Sequence, residues 1–474
     1  MEKTDHPSGI ENSSGVFAWI SRFINFERGL PGPPGPSGGG FKHGTFRLDR
    51  MEALAELAGN PQRCAPAIHI AGSKGKGSVT GMITAILSAA GLRIARYTSP
   101  DLGDRRERIT LGNTFFDEKI YVEAGRELVR LVTGQSGEAP TFFELMTLLF
   151  FLCARRSRCD MMVIETGLGG RLDATNIVDP LLSVITLIEL EHTEYLGSTI
   201  PAIAAEKAGI IKRGRPLILA EQPPDAFEVF RERAAALGAP LVYFPGEAEL
   251  AGLRVHKGGT DGTLSFKSPH FFSRPLALSL AIPGEAQGHN AGLAVLAAKT
   301  ALPDLEGETV ERGLEGFSLP ARFERLDLRR AADPAIRGAA VVVDGAHTPK
   351  SIELCVRTFT ALYGEGNILL FGCAEEKDGA SMARILCPHF SHIILTAPGN
   401  FKASRPEELL ALFGKERDRI RAAGRTPPET ELIGDTAAAV TGALRLGGRR
   451  GKPVLGTGSF YLAAEIRKEA GSMA

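Results

Sequence analysis

Apolar residues recur at helical spacing over residues 16–28 (VFAWISRFINFER) and again over 46–58 (FRLDRMEALAELA), where Gly59 and Pro61 close the second segment. Beyond residue 66 the pattern changes. Ala67–Ala71 (AIHIA) is a short apolar run ending in a Gly-rich turn, and the turn opens a predicted helix over 77–90 that stops at Gly91. Residues 142–155 read as a helix that is apolar on nearly every side. Met161–Glu165 and Ser183–Glu189 lack polar alternation, as expected of parallel strands covered on both faces. Residues 304–317 read as helix and turn, and the Pro-bearing run SLPARFERLDL (318–328) as a connector. Strands over 339–344, 367–372, 392–397 and 453–457 then alternate with helices over 349–362, 380–387, 405–416, 436–446 and 459–469. This alternation predicts an α/β protein: a domain over 1–317, a connector over 318–328, and a smaller parallel α/β domain over 329–474. The run GLPGPPGPSGGG (29–40) reads as a flexible loop.

Composition narrows the function classes. The chain has 474 residues, with 55 Lys plus Arg balancing 55 Asp plus Glu, and is 43% apolar and 23% charged. These values exclude a mostly disordered chain and a membrane channel. Zero net charge offers no whole-molecule attraction to nucleic acid, so any phosphate binding needs a local device. The six cysteines, Cys64, Cys153, Cys159, Cys355, Cys373 and Cys387, form no C-x-x-C pair and fit no zinc spacing, so they read as reduced thiols. The polar N-terminus has no signal-peptide pattern, and Leu145–Ala154 is far short of the ~20 residues of a membrane span. The expectation is a cytoplasmic protein without membrane or nucleic-acid partners.

The local device is Gly72-Ser73-Lys74-Gly75-Lys76-Gly77-Ser78, between a predicted strand and a predicted helix. Glycines at Gly72, Gly75 and Gly77 let backbone N–H groups crowd a phosphate, and the helix N-terminus adds partial positive charge. Lys76 can reach the β- and γ-phosphates, and the Ser78 hydroxyl can hold Mg²⁺. The loop departs from the Walker A pattern: Ile70 stands at the first Gly, and Gly77 separates Lys76 from Ser78. Glu165 ends one buried strand and His192 follows the next, and ligands of parallel sheets collect at strand carboxyl ends.

The G-x-x-G-K-G-S loop resembles that of the Mur ligase superfamily, and more specifically that of the dihydrofolate synthase/folylpolyglutamate synthase family. The resemblance recurs in order, from Phe23–Glu27 to Gly458-Ser459. It includes Thr98-Ser-Pro100, Arg106–Ile109, Thr141–Glu144, Glu165–Asn176, His192–Gly197, Glu206–Ile210, Gln287 with Asn290-Ala291, Ala321–Phe323, Asp344–His347 and Lys377-Asp378. It implies a Mur-ligase-like fold, with a P-loop-type ATP-binding N-terminal domain and a Rossmann-like C-terminal domain, and ATP between them. It further implies an ATP-dependent ligase that joins L-glutamate to dihydropteroate, or to the γ-carboxyl of tetrahydrofolate or a folylpolyglutamate, through an acyl phosphate.

The resemblance also assigns roles. Lys76, Lys207 and His192 form the catalytic set, with Lys207 carbamylated and His192 cast as a metal ligand rather than a base. Ser78, Glu165, His192 and the Lys207 carbamate would hold Mg²⁺, with Mn²⁺ or K⁺ as further candidates. Asn290, Arg322, Asp344 and His347 would join the glycine loop in holding ATP. Phe143 and Asp173 match the positions that hold dihydropteroate, although Phe143 also suits the core of its apolar helix. The family implies a monomer. Ser73-Lys74, Asp101, Glu191, Ala286, Ala321 and Thr348 depart from the usual residues, which bears on substrate preference more than on ligase chemistry. The competing readings are polyglutamylation alone, another amino-acid ligase of the superfamily, and an inactive nucleotide-binding regulator.

Overall fold

The runs without polar alternation become the middle of a sheet. The computed structural model describes residues 10–28, 47–133, 138–331, 333–337, 339–399 and 401–473, so the Gly/Pro stretch 29–40 lies outside the described residues. The chain divides into two units. One comprises Met1–Leu253, Asp261–Leu280 and Ala286–Phe317, and the other Arg254–Thr260, Ala281–Glu285 and Ser318–Ala474.

The first unit is built on eight strands, in the order Thr114–Phe115, Ile109–Leu111, Ile94–Tyr97, Met161–Glu165, Ala67–Ala71, Leu182–Ile185, Leu217–Leu219 and Leu241–Tyr243. From Ile94–Tyr97 onward every pairing is parallel, while the two short strands at the other edge are antiparallel. Every residue of Ala67–Ala71, Met161–Glu165 and Leu182–Ile185 is buried. The register sets Ile70 opposite both Glu165 and Val184, so three carboxyl ends meet at one edge. The helix Phe142–Ser157 starts at a capping box, with the Thr141 hydroxyl accepting from the Glu144 amide and the Glu144 carboxylate accepting from the Thr141 amide. Phe142, Leu145, Met146, Leu149 and Phe150 join the core that it forms beside the helices Ser13–Ile20 and Glu118–Val132. A separate three-stranded sheet has the order Leu276–Leu280, Gly259–Phe266, Ala248–His256.

The second unit carries six strands, in the order Glu324–Leu326, Val341–Val343, Val454–Thr457, Asn367–Phe371, Phe390–Leu395 and Glu429–Leu432. Phe359, Phe371 and Phe413 anchor its core. Among the described residues no helix is long and apolar enough to cross a membrane.

Several expectations change. The helical spacing over 16–28 yields a helix only over Ser13–Ile20, because Asn12 caps its start and the chain turns at Ser21. The strand expected over 183–189 ends at Ile185, where the chain leaves the ladder to meet the phosphate loop at Leu187. The connector is not structureless: Glu324–Leu326 pairs antiparallel with Val341–Val343, which makes the second sheet mixed rather than all-parallel. Glu429–Leu432 is a further parallel strand that the sequence pattern hid, because an edge position tolerates its polar residues.

His69, in the middle of Ala67–Ala71, is fully buried and its Nε2 is 2.8 Å from Thr175 Oγ1. The Thr175 hydroxyl donates to Asp173 Oδ1, so Nε2 carries the imidazole proton and donates to Thr175. Burial, with the Lys212 charge adding to it, pushes the His69 pKa down to about 3. The folded value lies below the unfolded 6.5, so the neutral ring stabilises the fold above pH 6.5. That stabilisation is lost as the pH falls from 6.5 toward about 3, at up to ~1.4 kcal/mol per pH unit. His69→Gln keeps a donor for Thr175 without titrating. Urea unfolding should show a flatter loss of stability between about pH 6.5 and 5 in this variant than in the parent.

Candidate active site

The glycine loop is fixed by close approaches that only glycine allows. Gly72 has φ 148°, and a Cβ there would fall 1.8 Å from Thr186 Oγ1. Gly75 has φ 91°, and its Cβ would fall 2.5 Å from Asn290 Oδ1. The loop is also tied to the neighbouring chain. Ser73 and Lys74 donate their amides to Leu187 O at 2.9 and 3.1 Å, and the Ser73 hydroxyl donates to Glu189 O at 3.0 Å. The helix Lys76–Ala89 then starts at Gly75 with no side-chain cap, and its first backbone bond runs from Val79 N to Gly75 O. The amides of Lys76, Gly77 and Ser78 precede that bond, which is the arrangement that binds anions.

Two lysines meet at this loop. Lys76 Nζ and Lys207 Nζ each donate to Gly72 O at 2.8 Å. Lys207 ends the helix Ile200–Lys207, and its side chain is 2% exposed. It also donates to Glu191 Oε1 at 2.8 Å. Burial, followed by the nearby Lys76 charge, lowers the Lys207 pKa to about 8 against the pull of Glu191. Burial works against the Glu191 carboxylate, yet the charges of Lys76 and Lys207 and the Lys207 hydrogen bond bring its pKa to about 2. Glu191 therefore stays ionised as the counter-ion of both lysines.

Glu165 is buried beside the start of the same helix. Its Oε2 is 3.6 Å from where a Gly77 Cβ would stand, and it accepts from Ser99 N at 3.3 Å. Ser78, one residue on, is buried in the first helical turn. His192 is exposed, with a left-handed φ of 46°, and caps the short helix Thr193–Leu196. Asn290, on the helix Glu285–Ala301, faces Gly75 and is bonded to Gln287 Oε1 at 3.2 Å. Among the described residues no trio of His, Cys, Asp and Glu is gathered to hold a metal by itself.

Phe143 and Asp173 converge on the loop that leaves Glu165. The Phe143 ring lies against Gly167, where a Cβ would be 2.4 Å from its Cζ. Asp173 Oδ2 accepts the amides of Gly167 and Leu168, both at 2.9 Å. Its Oδ1 accepts the Thr175 amide at 3.0 Å and the Thr175 hydroxyl at 2.5 Å. All four lone-pair directions of the carboxylate are thus taken within its own loop. Burial raises the Asp173 pKa while these donors hold it down. The neighbouring Thr98–Leu102 segment is tethered as well. Asp101 pairs with Arg105 at 2.9 Å and with buried Arg108, which reaches Glu27 at 2.8 and 2.7 Å.

Arg322, Asp344 and His347 belong to the second unit. The Arg322 guanidinium lies 4.2 Å above the Phe460 ring, between Ala321 (φ 54°) and Phe323 (φ 46°), both left-handed. Asp344 accepts the amides of Phe323 and Ala346, each at 2.8 Å. Burial raises its pKa and the Arg322 charge opposes the rise. His347 Nδ1 is 2.8 Å from Gly345 O, and its ring is 5.7 Å from that of Phe460.

Sequence reasoning missed three supporting residues. Gln222 donates to Thr186 O at 2.9 Å and accepts from Ile188 N at 3.0 Å, which holds the segment that the glycine loop packs on. His69 and Phe460 are the others. None lies in a motif, and each acts through a contact far away in sequence, so no local signal marks it.

Comparison with known proteins adds two domain families. Residues 70–298 match the Mur ligase middle domain, and residues 322–460 match the Mur ligase glutamate ligase domain. The chain is 32% identical over 425 residues to the dihydrofolate synthase/folylpolyglutamate synthase of Mycobacterium tuberculosis, covering 82% of this chain and 83% of that protein. It is 30% identical over 429 residues to the folylpolyglutamate synthase of Lacticaseibacillus casei, covering 88% and 93%. Among solved structures, the M. tuberculosis folylpolyglutamate synthase complexed with ADP superposes with a TM-score of 0.80 at 27% identity, over 97% of this chain and 99% of that one. A solved FPGS–AMPPCP–folate complex gives a TM-score of 0.73 at 26% identity, over 96% of this chain and 99% of that one.

The Asp173 clamp yields a stability prediction. Asp173→Asn turns one acceptor oxygen into an NH₂ group that faces two donors. It should destabilise the protein by about 2–3 kcal/mol in urea unfolding. A loss below about 0.5 kcal/mol would show that the clamp carries no weight.

Proposed function

The chain belongs to the folylpolyglutamate synthase/dihydrofolate synthase family of Mur ligases, and from that premise we propose how its own residues perform the reaction. It is an ATP-dependent ligase that adds glutamate to folates. The finer reading is a bifunctional enzyme, which takes dihydropteroate to dihydrofolate and extends the γ-carboxyl of tetrahydrofolate or a folylpolyglutamate. The observation that carries the residue assignments is the convergence of Lys76 and Lys207 on Gly72 O, beside Glu165 at Gly77.

Gly72, Gly75, Gly77 and the amides from Lys76 to Ser78 bind and orient the triphosphate, with Asn290 beside Gly75. Lys76 leaves the Gly72 carbonyl to neutralise charge on the transferring phosphoryl group. The substrate carboxylate takes the γ-phosphoryl group as an acyl phosphate, and the glutamate amine displaces phosphate from it. The protein's share is positioning and electrostatics. Arg322, Asp344 and His347 are assigned to the nucleotide. The Ser78 hydroxyl and the Glu165 carboxylate fit a hard cation that takes its remaining ligands from substrate phosphates and water, so Mg²⁺ would be held there with His192. When bound, the ion supplies charge neutralisation on the phosphates.

Lys207 is assigned as a carbamate. Its depressed pKa of about 8 leaves an appreciable neutral-amine fraction near neutral pH, which is the form that captures CO₂. Phe143 is assigned as the aromatic platform of the pterin. Asp173 bears on the choice of substrate. Its filled acceptor sites favour the narrower alternative, glutamate addition to reduced folates alone.

Phosphate release in the presence of ATP and L-glutamate tests the reading. Turnover is expected with tetrahydrofolate, and turnover with dihydropteroate as well selects the bifunctional reading. Turnover with tetrahydrofolate alone selects the narrower alternative, and none with either overturns the proposal. Lys207→Ala should lose glutamate-dependent release by at least about 10²-fold, and full retention would refute the carbamate role.

A further inference from the structure

His69 is the one polar side chain in the strand Ala67–Ala71, and the reaction as assigned makes no use of it. His69, Thr175 and Asp173 are all buried. The His69 Nδ1 has no hydrogen-bond partner among the described residues, so Nε2 alone anchors the ring, 2.8 Å from Thr175 Oγ1. A buried ring nitrogen left unpaired is costly, and an apolar side chain would suit a central parallel strand better. What the imidazole supplies that an apolar residue cannot is the Nε2 proton.

That proton has a defined destination. It occupies one lone pair of the Thr175 hydroxyl, whose own proton goes to Asp173 Oδ1 at 2.5 Å. The other carboxylate oxygen, Oδ2, accepts the amides of Gly167 and Leu168, both at 2.9 Å. The Phe143 ring rests on Gly167, where a Cβ would fall 2.4, 2.7 and 3.1 Å from three ring carbons. Tyr97 packs on the same ring with centroids 6.0 Å apart. The Tyr97 hydroxyl is 3.2 Å from Thr147 Oγ1, which donates to Phe143 O at 2.8 Å.

From this chain of bonds we propose that His69 is a positioning residue for the folate substrate: through Thr175 and Asp173 it fixes the Gly167–Leu168 backbone on which the Phe143 ring rests. The proposal rests on the assignment of Phe143 as the pterin platform. The relay is buried, so water does not compete for its groups, and each bond orients the next. Without the Nε2 proton the Thr175 hydroxyl is free to rotate, Asp173 Oδ1 loses a donor, and the Gly167 turn can shift beneath the ring. The phosphate end is spared, because Lys76 and Lys207 bond to Gly72 O and Glu191 rather than to any member of the relay.

Steady-state kinetics of the full chain with ATP, L-glutamate and tetrahydrofolate test the proposal. Thr175→Val keeps the shape of the side chain and removes the middle hydroxyl. It should raise KM for tetrahydrofolate by about 5–10-fold, as expected for the loss of one buried hydrogen bond, and leave kcat and KM for ATP within about twofold. Thr175→Ser should restore the parent value. His69→Leu should raise the same KM, and His69→Gln, which keeps a donor, should not. A merely structural role would lower stability without this split. An unchanged KM for tetrahydrofolate in Thr175→Val, or a KM for ATP that rises with it, would therefore overturn the proposal. Phe143→Ala is measured alongside. A raised KM there with parent-like kinetics in Thr175→Val overturns the relay and leaves the platform standing, whereas an unchanged KM in Phe143→Ala removes the platform and the relay's role with it. A readout on the parent chain requires no variant to fold. With isotopically labelled histidine, the NMR resonance of His69 Nε2 should move on addition of tetrahydrofolate, and a resonance that stays in place would also overturn the proposal.

Discussion

A single carbonyl oxygen organises the glycine-loop end of the first unit. Gly72 O accepts from both Lys76 and Lys207, which places two ammonium groups within ~6 Å of each other. At an effective dielectric of ~20, that pair repels by roughly 3 kcal/mol. The arrangement holds because Glu191 is ion-paired to Lys207 and lies in the field of both lysines. Removing one charge would change the balance of the other two. Any event that draws Lys76 toward a phosphate, or converts Lys207 to an anion, therefore alters the whole knot. Glu191 stands where the family resemblance would place an aspartate, one methylene shorter, and it reaches Lys207 Nζ directly at 2.8 Å.

That knot depends on register. Ile70 lies opposite Glu165 on one side and Val184 on the other, so the chain leaves three strands at one level. Gly72 can then press against Thr186, and the Ser73 and Lys74 amides can reach Leu187 O. Gln222 fastens the same Thr186–Ile188 segment from behind. A one-residue slip of any central strand would exchange the side chains packed on its two covered faces and carry its loop away from the others.

What the sequence made legible follows the range of the interactions. The glycine loop, the strand-end Glu165 and the alternating elements of both sheets rest on local spacing, so they could be read from one chain. Lys207, Asn290 and Phe143 were named through motif resemblance, and the structure brings them to Gly72, Gly75 and Gly167 respectively. Asp173 was named through the same resemblance; its four accepted bonds come from residues two to six positions away, which periodicity does not reveal. The strands Glu324–Leu326 and Glu429–Leu432 went unseen because edge strands do not need the apolar pattern that marks central ones.

The second unit holds its polar groups by a different means. Arg322 is flanked by two non-glycine residues in the left-handed region, each at a cost of roughly 1–2 kcal/mol. Compensation is visible in the contacts. Asp344 accepts the Phe323 amide, Glu324 accepts the Ala321 amide at 2.8 Å, and the Phe460 ring sits beneath the guanidinium. Ala321 stands where the family resemblance would place glycine, and its methyl is fully buried. Burying that methyl offsets part of the strain by about 0.8 kcal/mol. The turn thus tolerates a residue that its backbone disfavours, because the contacts that aim Arg322 also hold the turn in place.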